Sequence, residues 1–203
     1  MATYSSEIET VLKRYIGSKR GEGRDRLREL LNNESVDKRY ELLMNVREGK
    51  FPSFTGLIGA VFANDLESIT YMLDGILSNQ KCDVVKIHSS TQITALHLAA
   101  SKDHKPIINY LLSNLSQQQQ YDLLKIQNSD GNTPLHVAAS YKKVEAVQAI
   151  ISSVSSPLLI QLLNIKNNEG HTVTDIRPGL RNELTLLMSQ GNRFCRPSKL
   201  EVY

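Results

Sequence analysis

The side chains best suited to chemistry in this 203-residue chain are its five histidines and two cysteines. His97 and His136 stand 39 residues apart, each inside the same word. One copy reads Thr94-Ala95-Leu96-His97-Leu98-Ala99-Ala100. The other reads Thr133-Pro134-Leu135-His136-Val137-Ala138-Ala139. A neutral imidazole can ligate a metal or act as a general base. These two recur once per period, with no Cys or carboxylate at ligand spacing, so they read as structural. His88, His104 and His171 read as surface residues of turns. Cys82 shares a register with Tyr121 and Ile160, which predicts an inert thiol facing the core. Cys195 lies between Arg193 and Arg196, which favours a thiolate. It has no evident base, and so reads as a bystander. The sequence contains no Gly-rich phosphate loop, nucleophile elbow or metal-protease word. The pair Gly21 and Gly23 is turn chemistry. No catalytic residue, metal or cofactor is therefore expected. An enzymatic reading would have to use the divergent ends, around Asp175, Arg177, Arg181 and Cys195.

The elements that hold these histidines repeat as well. Thirty-nine residues before Thr94 stands Thr55-Gly56-Leu57-Ile58-Gly59-Ala60, and 39 after Thr133 stands Thr172-Val173-Thr174-Asp175. A fixed period of this length marks a stacked array, because one unit cannot bury its own apolar face. In each unit a turn leads into a first helix with small residues for close packing. A second turn follows near Asn64, Asp103 or Lys142. The second helix carries Ile69, Met72 and Leu73, then Ile107, Ile108, Leu111 and Leu112, then Val144, Val147, Ile150 and Ile151, at helical spacing. A further short helix is predicted over Ser116–Ile126 and again over Ser156–Ile165. Ser serves as N-cap and Pro157 as the first helical residue. Apolar pairs mark its register: Met72-Leu73 precede Val84-Val85 by 12, as Leu111-Leu112 precede Leu123-Leu124 and Ile150-Ile151 precede Leu162-Leu163. Leu30-Leu31 and Leu42-Leu43 share that step.

The words Thr94–Ala100 and Thr133–Ala139 resemble the ankyrin repeat, with a weaker likeness at Thr55 and a decayed one at Thr172. The resemblance implies an all-α solenoid of stacked helical pairs. The usual unit has 33 residues. Here each has six more, and they make the extra short helix. The whole chain, 1–203, reads as one domain: a divergent N-terminal helical cap over 5–45, with helices over 5–17, about 23–32 and after Ser35; repeats over 51–88, 89–127 and 128–166; a C-terminal capping repeat over 167–189 ending in a helix at about 180–189; and a tail over 190–203. In the capping repeat Val173, Thr174 and Asp175 replace Pro, Leu and His, and Pro178-Gly179 interrupts the inner helix. The resemblance further implies that Thr94 and His97, and Thr133 and His136, tie each turn to its helix by hydrogen bonds. Thr55, Leu57, Leu96, Pro134 and Leu135 complete the structural motif.

Composition fits a folded chain, 40% apolar and 22% charged. The formal net charge of +3 is too small to argue for nucleic acid. Residues 11–50 hold 11 basic and 7 acidic side chains, interspersed as on a solvated helix face. No apolar run is long enough for a membrane span, and the start lacks a secretory h-region, so a cytoplasmic protein is expected. Capped ends favour a monomer. With no chemistry visible, the array reads as a non-enzymatic module that binds a protein partner as adaptor, scaffold or inhibitor. An effector of an intracellular microbe or virus acting on a host protein is the alternative. In ankyrin proteins contacts come from the turn tips and the exposed side of the inner helices. Carried over, those positions are Phe62 and Ala63 in the first repeat. In the second they are Ser90, Thr91, Ile93, Ser101 and Lys102. In the third they are Ser129, Asp130, Asn132, Ser140 and Tyr141, followed by Asn168, Glu169 and His171. Phe62 and Tyr141 are the expected anchors.

Overall fold

A computed structural model describes residues 35–45 and 56–180. The helices expected over 5–17 and 23–32, all but Leu180 of the one expected at about 180–189, the tail over 190–203, and Thr55, Arg181 and Cys195 lie outside the described residues. Within them the chain is all-α. Its elements are α1 (Val36–Asn45), α2 (Gly56–Phe62), α3 (Leu66–Leu73), α4 (Ser78–Lys86), α5 (Ala95–Lys102), α6 (Lys105–Leu112), α7 (Gln117–Leu124), α8 (Pro134–Ser140), α9 (Val144–Ser153), α10 (Ser156–Leu163) and α11 (Val173–Ile176).

Three rows of helices stack side by side. The inner row runs α2, α5, α8, α11, each packed on the next. The outer row runs α3, α6, α9. The third row runs α1, α4, α7, α10. The extra helix is thus a continuous layer of the array. Helix α1 belongs to that layer, where the 12-residue step of its leucines places it. Tyr40 donates its hydroxyl to the Asp83 carboxylate on α4 at 3.4 Å.

Helix starts explain the inner row. Thr94, Thr133 and Thr172 are extended N-caps whose hydroxyls accept the N–H of His97, His136 and Asp175. Such a cap contributes about 1 kcal/mol. Turn geometry repeats with the same spacing. Asn64, Asp103 and Lys142, which lead from inner to outer helix, all have positive φ, as do Gln92, Gly131 and Gly170 before the inner helices. Leu57, Leu96 and Leu135 occupy matching places in α2, α5 and α8 and are all buried. Full burial of each contributes roughly 1.5–3 kcal/mol. Ala60, Ala99, Ala100, Ala138 and Ala139 are buried beside them and allow close helix approach.

The third row is joined by side chains of several kinds. Ser78 donates to the Asn114 carbonyl at 2.9 Å. Gln117, 39 residues later, donates to the Ser153 carbonyl at 3.1 Å and accepts the Ser155 N–H at 2.6 Å. Both bonds reach the loop after the next unit's outer helix. Lys81 reaches the C-terminal end of α6, donating to the Tyr110 and Ser113 carbonyls at 2.7 and 2.8 Å. Its ammonium also lies over the Tyr110 ring. Burial pushes the Lys81 amine down to about 8, while the two carbonyls and the ring favour its charged form.

Several local expectations need correction. Val144 is exposed, because it is the first residue of α9 and the buried stripe begins at Ala146 and Val147. In the last third-row helix Ser155 rather than Ser156 holds the N-cap position, without a side-chain cap bond, and Pro157 is one place further in. The run of four glutamines, Gln117–Gln120, carries structural bonds. Gln117 bridges units, Gln119 closes a capping box with Ser116, and Gln120 donates to the Leu112 carbonyl. His104 is half-buried, and burial lowers its pKa.

Candidate functional site

The two motif histidines have no lone pair to spare. His97 Nδ1 accepts the Thr94 N–H at 3.2 Å and sits 2.8 Å from the Thr94 hydroxyl. Its Nε2 lies 2.9 Å from the Asn132 carbonyl oxygen. A carbonyl only accepts, so Nε2 carries the hydrogen and Nδ1 accepts. His136 repeats this arrangement with Thr133 and, at 3.3 Å, the His171 carbonyl. Each imidazole caps its own helix and reaches the turn of the next unit. Burial pushes His97 down to about 4 and lowers His136 in the same sense. A second proton on Nδ1 would displace the Thr N–H. These side chains are therefore committed to structure: metal ligation or base chemistry at Nδ1 would cost the bond to the capping Thr, and ligation at Nε2 the bond to the next unit.

Asp175 occupies the histidine position of the last described unit. Its carboxylate accepts the Thr172 N–H at 2.8 Å and the Thr172 hydroxyl at 2.7 Å. These bonds to Thr172, backbone first, hold the carboxyl below its usual range. Asp175 thus keeps the cap, but a carboxylate has no donor with which to reach onward. The bonds to Thr172 also occupy the one described carboxylate of the enzymatic reading. Among the described residues no group of three or more His, Cys, Asp or Glu side chains is placed to hold a metal ion. No helix there is long and apolar enough to cross a membrane. Cys82 is buried, and burial pushes its thiol pKa up.

The turn tips before the inner helices form a stitched ladder. Within each tip a hub side chain accepts backbone N–H groups. Asn128 Oδ1 takes those of Asp130 and Asn132, at 3.0 and 2.9 Å. Asn167 Oδ1 takes those of Glu169 and His171, at 3.1 and 3.0 Å. Ser89 Oγ takes that of Ile93. Between tips, the Ser129 N–H donates to the Thr91 carbonyl and the Asn168 N–H to the Asp130 carbonyl. The Asn168 amide donates to the Ser129 carbonyl at 2.9 Å. Gly131 has positive φ and packs so closely on Asn168 that a Cβ would collide with its backbone nitrogen and side chain. The ladder leaves Ser90, Thr91, Ser129, Asp130, Asn168, Glu169 and His171 exposed, with Glu169 and His171 paired at 3.3 Å. Ile93 and Asn132 are half-buried, and the Asn132 side chain accepts from the Asn167 amide, so neither stands free at a tip.

A second set of positions lines the C-terminal ends of the inner helices. Phe62, Lys102, Ser140 and Tyr141 are exposed there, while Ala63 and Ser101 are half-buried. The Lys102 ammonium lies 5.1 Å from the centre of the Phe62 ring, joining the first and second units. Lys142 and Val144, adjoining Tyr141, are also exposed. Sequence reasoning passed over them, because Lys142 read as a turn and Val144 as core.

A family model described as ankyrin repeats, in three copies, matches residues 57–161. A search of curated proteins gave no match.

Proposed function

Because this chain belongs to the ankyrin-repeat family, whose arrays are in general non-enzymatic protein–protein interaction modules, we propose that it binds a single protein partner as an adaptor, scaffold or inhibitor. The bound surface comprises the turn tips and the C-terminal ends of the inner helices. The observation that carries this reading is the row Phe62, Lys102 and Tyr141, presented by consecutive units on a framework already fixed by inter-unit hydrogen bonds. Preorganisation of that kind lowers the entropic cost of association, and exposed aromatic side chains are favoured binding anchors.

Affinity capture from the source cells, with identification of the retained protein, tests this. The variant carrying Tyr141→Ala and Ser101→Glu should lose about 2 kcal/mol of binding or more. Its thermal midpoint should stay close to that of the parent chain, since Tyr141 is exposed and Ser101 half-buried. A specific partner that ignores both substitutions would sink the proposal.

A further inference from the structure

The chemistry of the inner-helix ends restricts what can bind there. Among the described residues five large apolar side chains are exposed, and three of them, Phe62, Tyr141 and Val144, stand on this edge. Lys102 and Lys142 lie between and beside them, exposed and without an ion pair among the described residues. Three carboxylates of the same loops keep their charge but are held by partners. Asp65 accepts the Ser68 N–H at 3.0 Å and so caps α3. Asp103 accepts the Ala146 N–H at 2.7 Å, capping the outer helix of the following unit. Glu145 pairs with Lys105 at 2.7 Å. Glu67 lies on α3 in the first unit, away from Tyr141 in sequence and in layer. Inner helices end and outer helices begin along this edge, so their opposite end charges largely offset. In the second and third units, which present Tyr141 and Val144, Lys102, Lys105, Lys142 and Lys143 outnumber Asp103 and Glu145, so that part of the edge is positive.

Resting on the proposed binding surface, we infer that the edge takes an acidic protein segment: one apolar side chain seated against Tyr141 and Val144, with flanking Asp or Glu side chains meeting Lys102 and Lys142. Lys102 is suited to this role because its ammonium already lies over the Phe62 ring, which reduces the rotamer freedom it must give up on binding. The exposed Asp130 and Glu169 at the turn tips give the opposite sign there. An acidic segment is steered toward the helix ends and away from the tips.

The test is a displayed library of random 12-residue peptides panned against the full chain. In parallel, one fluorescein-labelled single-stranded oligonucleotide is titrated as a probe. Enriched peptides should carry Asp or Glu next to Leu, Ile, Phe or Tyr. A representative should weaken at least tenfold with Lys102→Glu plus Lys142→Glu, and should weaken as salt rises. Repanning against that double variant should reverse the preference toward Lys and Arg. Both lysines are exposed, so an unchanged circular dichroism spectrum and thermal midpoint are expected. Peptides lost on Tyr141→Ala but lacking acidic enrichment would overturn this inference and leave the binding surface standing. Peptides indifferent to Tyr141→Ala would overturn both. No enrichment over an unrelated control array, or an oligonucleotide that binds more tightly than any peptide and is released by the lysine substitutions, would overturn the acidic-segment inference alone.

Discussion

The inner row and the third row solve one problem by different means. Each must join a unit to its neighbour through hydrogen bonds that cross the layer. The inner row uses the same pair, Thr and His, at His97 and again at His136, with the acceptor each time a carbonyl just before the next inner helix. The third row uses a serine hydroxyl at Ser78, an ammonium at Lys81 and a glutamine amide at Gln117. The inner helices are short and closely packed, and their cap and cross-link share one ring. Few side chains have two opposed nitrogens with the reach to do that. The third row asks only for a donor near a helix C-terminus, and many side chains supply one. Tight geometry preserves residue identity from unit to unit, while loose geometry preserves only the bond.

The largest contrast lies within the inner row, at two glycines that share a register. Gly131→Ala places a Cβ on Asn168 in a left-handed conformation, whereas Gly170→Ala meets nothing and bears only the conformational penalty. Gly131→Ala should cost about 3–4 kcal/mol, combining backbone strain with overpacking. Gly170→Ala should cost about 1 kcal/mol. Urea denaturation of the two variants checks this. Equal costs would show that the close approach of the tips contributes nothing to cohesion.

The histidines come next. His97→Asn keeps an acceptor for the Thr94 N–H but is too short to reach the Asn132 carbonyl, so it separates the cap from the cross-link. It should cost about 2–3 kcal/mol through the lost bond and the space left behind. The same variant has a pH signature. An imidazole held neutral in the folded protein takes up its proton first in the unfolded chain. Stability is therefore full above about pH 6.5 and falls as pH drops. For His97 the fall ends near pH 4, where the folded form is protonated too. The slope is about 1.4 kcal/mol per pH unit for each such histidine. In His97→Asn, the slope measured by urea midpoints between pH 6.5 and 4.5 should be shallower by one histidine's share. An unchanged slope would mean the ring is not held neutral.

This contrast also explains what could be read from the sequence. Recurrence exposed the inner row, because Thr94, Leu96 and His97 return unchanged 39 residues later. The extra helix was legible through apolar pairs such as Leu111-Leu112 and Leu123-Leu124, all buried. The third-row bonds were not, because Lys81, Gln120 and Leu159 share a register and have no common chemistry. The edge around Tyr141 was half legible. The aromatic residue at a helix end was visible, but the exposure of Val144 was hidden inside an apolar stripe. Recognising the cap at Asp175 required seeing that a carboxylate can accept what the histidine ring accepts.

The third row makes a smaller prediction at Lys81. Lys81→Met preserves the stem and removes the ammonium, leaving the Tyr110 and Ser113 carbonyls without that donor. Tyr110 and its neighbours retain the hydroxyl bond from Ser113 at 2.7 Å, which limits the loss. The expected cost is about 2 kcal/mol, from loss of a charged hydrogen bond in a part-buried setting. Differential scanning calorimetry should give a lower midpoint with the helical spectrum intact. A rise in stability would instead mean that removing a charge from a buried site outweighs its bonds, as happens for some buried ions.

The smallest effect discriminates within four consecutive glutamines. Gln117 makes two bonds to the following unit, while Gln118 bonds only Asp122, one turn along the same helix. Gln117→Ala should cost about 1 kcal/mol, the net worth of a typical hydrogen bond. Gln118→Ala should stay within about 0.5 kcal/mol of the parent, as surface substitutions do. Both replacements raise helix propensity alike, so their difference isolates the cross-layer bonds. Comparing urea midpoints for the pair is therefore more informative than either alone. If the two variants coincide, the third row is held by its buried leucines, and the polar cross-links follow from that packing instead of contributing to it.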